Sequence, residues 1–187
     1  GVYVLEPAEP LPPMTQEDLE FERFQIKAVS AIEEELDRIL KTRKQSRIQT
    51  IADMVIRNYG HLDEKINFYQ NLRSLEDYVS RHSLNVAILC AMITHVMNIR
   101  REEQYHTVCA ALLHDMGKLK KHEDVYFGAP YYREDAIRNC ETQEEAYSVI
   151  EDAFATEGPA IRRICQQAAG KQLDLFPEEG KESRYKM

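Results

Sequence analysis

Three residue types in two short stretches could do chemistry together. An apolar run ends abruptly in AALLHDMGKLK, Ala110 to Lys120, where His114 and Asp115 are followed by Gly117 and Lys118. Upstream, His82 sits in YVSRHSLNVA. Two imidazoles and a carboxylate form a nitrogen/oxygen ligand set for a divalent metal with open positions. Fe and Mn are favoured; Zn, or less readily Mg, could also be held. Such an ion lowers the pKa of bound water and polarises a phosphoryl oxygen. Lys118, just past the ligands, is placed to hold a substrate phosphate by its charge. Asp115 can also help to activate an attacking water, which would make Asp115 and Lys118 the catalytic pair. The implied reaction is metal-assisted hydrolysis of a phosphate ester.

Two helices must bring these residues together. Ser74, with Asp77 three residues on, predicts the start of one helix. Its expected apolar ridge is Leu75, Val79, Val86, Leu89, Ile93 and Val96, with His82 standing where a hydrophobe should be. A second helix is expected from about Arg101, with Tyr105, Val108, Ala111 and Leu112 facing inward. Continuing that face places Asp115 on the buried side and His114 about 100° round the axis. Gly117 is expected to close the helix in the left-handed conformation. The other histidines, His61, His95 and His106, read as surface or cap residues.

The remaining chain reads as an all-α scaffold. Residues 1–14 are a proline-rich segment. A helical extension covers 15–73, beginning at the Thr15 N-cap, with Phe21, Phe24, Ala28, Ile32, Leu36 and Ile39 at helical spacing. That stripe could pack on the domain behind it or pair with a second copy as a homodimer. A further helix is expected after a Ser46 cap, ending at Tyr59-Gly60. The metal-binding helical domain is expected over 74–170, with more helices at 134–139, 142–155 and 159–169, the last starting after Gly158-Pro159. Residues 171–187 form a polar tail that reads as cut short. With 187 residues, 43% of them hydrophobic, the chain can bury a substantial core. A net charge of −8 argues against nonspecific binding to DNA or RNA. No apolar stretch reaches membrane-spanning length, and no basic-then-apolar signal pattern opens the chain. The four cysteines are widely spaced within helical patterns, as expected of buried thiols in a reducing compartment, so the expected location is cytoplasmic.

The stretch Tyr78 to Lys120 resembles the opening of an HD-superfamily metal-dependent phosphohydrolase domain. The resemblance rests on the early-helix histidine in RHSLNVA, on LLHDMGK ending the next helix, and on the spacing between them. It is closest to the HD-GYP branch, bacterial signalling proteins whose members cleave cyclic di-GMP. The resemblance implies His82, His114 and Asp115 as metal ligands, Lys118 as a phosphate contact, and a nucleotide or cyclic dinucleotide substrate. Two features depart from that branch. There is no Gly-Tyr-Pro, and the only histidine after Asp115 is His122. The family's later closing aspartate would be Asp152, Asp174 or a residue beyond Met187. The alternative reading is a catalytically incomplete signalling or dimerisation module with an HD fold.

Overall fold

The computed structural model describes residue 13 and residues 15–62, 78–120 and 145–173. Among them the regular structure is entirely helical, as expected. We number the helices α1 (Gln16–Thr42), α2 (Ile48–Tyr59), α3 (Tyr78–Val96), α4 (Arg101–Leu113), α5 (helical residues 145–153) and α6 (Gly158–Leu173). A 3-10 turn, Met116–Lys120, continues from α4. The expected cap of the 74–170 domain at Ser74, the 134–139 helix, His122 and residues 174–187 of the expected polar tail lie outside the described residues, while α6 runs on to Leu173, past the expected start of that tail.

Helix α1 starts where its sequence says it should. The Thr15 hydroxyl accepts from the Asp18 amide while the Asp18 carboxylate accepts from the Thr15 amide, a complete capping box. Its stripe is used within the chain. Ala28, Ile32, Leu36 and Ile39 are buried, and Phe21 and Phe24 meet Tyr59 of α2 edge-on, with centroids 5.7 and 5.4 Å apart. A homodimer built on this stripe would compete with the core. The 15–62 helices and the later ones share a single hydrophobic cluster.

Ser46 does not cap α2. The N-cap position is Arg47, without a side-chain cap. The buried carboxylate of Glu35, from α1, accepts the Ser46 and Arg47 amides at 2.7 and 2.8 Å and also the Arg38 guanidinium. A carboxylate at a helix N-terminus satisfies orphan amides and the dipole together, so its burial is compensated. At the other end, Gly60 is needed for space: a Cβ there would lie 2.6 Å from the Ile56 carbonyl.

The expected ridge of α3 is wrong over most of its length. Leu89, Ile93 and Val96 are exposed, whereas Ser80, Ser83, Leu84, Ala87, Ile88, Ala91 and Thr94 are buried. Of the described ridge residues, only Val79 is well buried and Val86 partly so; Leu75 lies outside the described residues. The buried face of α3 includes the small residues Ser80, Ser83, Ala87 and Ala91. Small side chains on both helices let the axes approach closely, and α3 packs more extensively on α4 than on any other element. Gln104 of α4 donates to the Ala91 carbonyl of α3 at 3.0 Å and pins the pair. Gln25 of α1 donates to Asn85 on α3. Helix α6 covers α4 from another side, with the Cys165 thiol directed at the Ala110 carbonyl.

Candidate metal centre

The close α3–α4 packing brings His82, near the start of α3, against His114 at the C-cap of α4. The ring centroids lie 5.3 Å apart. Asp115 follows as the chain leaves the helix, and its carboxylate is buried. Its Oδ2 is 3.7 Å from His82 Nε2 and 3.5 Å from His114 Nε2. One ligand atom from each of the three residues falls within 4.8 Å of the others, the only such cluster among the described residues.

The two His–Asp separations are near those of one small divalent ion, while the full set spans up to 4.8 Å and would have to draw together around it. With metal–ligand bonds near 2.1 Å, neighbouring ligand atoms stand about 3.0 to 3.4 Å apart in octahedral or tetrahedral shells. The two His–Asp distances exceed this by a few tenths of an ångström, which side-chain torsions can absorb. Tautomer chemistry points the same way. His114 Nδ1 lies 2.8 Å from the Ala111 carbonyl, which can only accept, so Nδ1 carries the proton and Nε2 presents its lone pair to the cluster. The His82 ring stacks on Tyr78, with planes 2° apart and centroids 5.6 Å apart. Burial depresses the His82 pKa below its ordinary value, against the opposing pull of Asp115 and assisted by His114 and Lys118. That shift favours the neutral ring, the form that binds metal.

Lys118 is where the sequence places it, but it is turned toward the cluster. The 3-10 turn carries its Nζ to 2.7 Å from Asp115 Oδ2, with 15% of the side chain exposed. The expected left-handed closure at Gly117 does not occur: the right-handed turn tightens instead, with the Lys118 amide bonded to the Asp115 carbonyl at 3.0 Å. A left-handed Gly117 would have turned Lys118 elsewhere.

Asp152 does not join the cluster. Its carboxylate is half exposed and pairs with Arg43, which follows α1 in the left-handed conformation. Asp174 lies outside the described residues. Sequence reasoning missed the Tyr78 stack and the Lys118–Asp115 pair. The first had a signal, since Tyr78 and His82 stand four apart on one helix. The second depended on the turn geometry. No helix among the described residues is long and apolar enough to cross a membrane.

Comparison with known families gives one match: the HD domain model aligns with residues 79–177, a span containing all three ligand candidates and Lys118. Neither the curated proteins nor the solved structures yield a match.

Proposed function

The chain belongs to the HD-domain family, and from that premise we propose that it is a metal-dependent phosphohydrolase whose centre is His82, His114 and Asp115. The observation that carries this reading is the convergence of three ligand atoms within 4.8 Å beside a lysine ammonium. A divalent metal held there, Fe or Mn by preference, would supply Lewis acidity toward a phosphoryl oxygen and a nucleophilic water at neutral pH.

The protein's own part follows from its geometry. His114 is fixed in the ligating tautomer by the Ala111 carbonyl. His82 is held neutral by burial and oriented by Tyr78. Asp115 supplies the negative charge and can take a proton from an attacking water. Lys118, reaching in from the following turn, can exchange Asp115 for a substrate phosphate oxygen and so stabilise charge gathered on the phosphoryl group. The substrate we infer is a cyclic dinucleotide or related nucleotide phosphodiester, as in the HD-GYP branch, although the chain lacks the Gly-Tyr-Pro signature. The domain division we retain is a helical extension to residue 73 and the HD unit from 74 to 170. The net charge of −8 supports a nucleotide ligand recognised through the centre rather than a DNA or RNA partner.

Purified chain loaded with Mn²⁺ should retain metal by mass spectrometry and hydrolyse cyclic di-GMP or a chromogenic phosphodiester. His82→Ala and Asp115→Asn should each abolish both properties. Failure of the wild-type chain to retain any divalent metal would overturn the assignment. One observation favours a second reading, the catalytically incomplete module: the only described candidate for the closing aspartate, Asp152, is occupied by Arg43. Retained metal without hydrolysis of either substrate would select it.

A further inference from the structure

A cavity of about 580 Å³ opens at the other end of the α3–α4 pair. His95, on its wall, stands thirteen residues beyond His82 on the same helix, about 20 Å away at 1.5 Å per residue. Three elements build the cavity: the C-terminal half of α2 with Asp53 and Arg57, the turn after it with His61, and the α3–α4 junction with His95, Asn98 and Arg101. Two of these side chains are arginines and two are histidines, against one carboxylate. In a protein of net charge −8 this is a local reversal of sign.

Among the described residues, neither the Arg57 nor the Arg101 guanidinium makes an ion pair. The acidic residues in the first turn of α4 offset little of this charge. Glu103 is paired with Arg100 at 2.6 Å, and Glu102 and Glu103 are both exposed outside the cavity lining. The wall is also preformed. Asn98 takes the left-handed conformation at φ 52°, and the Asn98 and Ile99 amides bond the His95 and Thr94 carbonyls, each at 2.9 Å. The first-turn amides of α4 have no side-chain cap, which leaves the positive end of that helix at the same mouth.

We propose that this cavity binds a small phosphorylated anion, separately from the metal centre. Its volume suits a ligand of mononucleotide size. Two guanidinium forks on different helices can grip a phosphate from two sides, geometry that a carboxylate fills less well. The shared chemistry is the phosphate group; a nucleoside part would add contact along the wall.

The test is titration of the full chain, in the presence of EDTA, with pyrophosphate and separately with adenosine monophosphate, followed by amide and histidine-ring NMR signals. Saturable shifts at Asn98, Ile99, His61 and His95 are expected in the millimolar range or tighter. Arg57→Gln and Arg101→Gln should each weaken binding about tenfold, the loss of one charge-assisted hydrogen bond. Asp53→Asn should tighten it. All three positions line an open cavity, and unchanged circular dichroism would show that the fold is intact. Tighter binding of the nucleotide than of pyrophosphate would identify the nucleoside part as recognised; equal binding would restrict recognition to the phosphate. Shifts confined to the surroundings of Lys118, absence of any saturable shift, or indifference to both arginine substitutions would overturn the proposal.

Discussion

Replacing Lys118 with methionine separates two roles that one positive charge can play. The Lys118 ammonium lies 2.7 Å from Asp115 Oδ2, with 15% and 6% of the two side chains exposed. At an effective dielectric constant of 20, the attraction across that distance is about 6 kcal/mol. Desolvation of both groups offsets most of it, leaving a net contribution of about 2 kcal/mol. A divalent metal using Asp115 must displace or share this partner. Lys118→Met should therefore tighten Mn²⁺ binding about thirtyfold, the equivalent of 2 kcal/mol. The metal-stripped protein should become less stable, because a buried carboxylate loses one cationic partner. Phosphodiester turnover should fall, since the same ammonium is assigned to the substrate phosphate. Calorimetric titration with Mn²⁺, thermal unfolding with and without EDTA, and the chromogenic assay read the three effects. Unchanged or weaker metal binding in Lys118→Met would refute the claim that lysine and metal compete for Asp115.

Other expectations are sharp enough to test. Asp152→Asn should leave metal content unchanged, in contrast to His82→Ala, because Asp152 serves only the surface pair with Arg43; elemental analysis of the two variants decides this. Glu35→Ala should cost about 3 kcal/mol in denaturant unfolding, since two amides at the start of α2 lose a buried acceptor, while Glu35→Gln should cost less. Cys109 and Cys165 should resist alkylation at pH 8, burial having pushed both thiols up to about 12. The same shift sets a pH dependence. In the unfolded chain these thiols ionise near 9.0, whereas in the folded protein they stay protonated until about 12, so stability should decline as pH rises from 9 toward 12. A flat unfolding midpoint between pH 8 and 11 would contradict that linkage.

The candidate ligands were legible because their types and positions are local facts. A histidine and an aspartate closing an apolar run, with a lysine three residues on, need no knowledge of the fold. Legibility failed where packing depends on volume. The search for the inner face of α3 followed its large hydrophobes, Leu89, Ile93 and Val96, and they lie outside. The face that packs carries serines and alanines, which weigh little in any apolar count but permit close approach. His82 stands at helical spacing with Leu89, Ile93 and Val96, yet it is only partly exposed where they are exposed, because the turn after α4 meets the start of α3 there. Glu35 could not have been found locally, because its partners lie eleven and twelve residues away across a turn. The conformation at Gly117 was equally out of reach, since glycine permits both hands and only the surrounding packing selects one.

The seam between α3 and α4 has a consequence for how the sequence can change. Two of the three candidate ligands are neighbours in the chain and arrive together whatever happens elsewhere. The third comes from another helix, so its distance depends on how α3 seats against α4. A larger side chain at Ala87 or Ala91 could be tolerated by a stable, fully helical protein in which His82 stands too far from His114 to share an ion with it. A library selected only for folding should therefore drift at these positions, while one selected for metal retention should keep them small. Small side chains, with no reactive atom of their own, would then act as the ruler against which metal binding is measured.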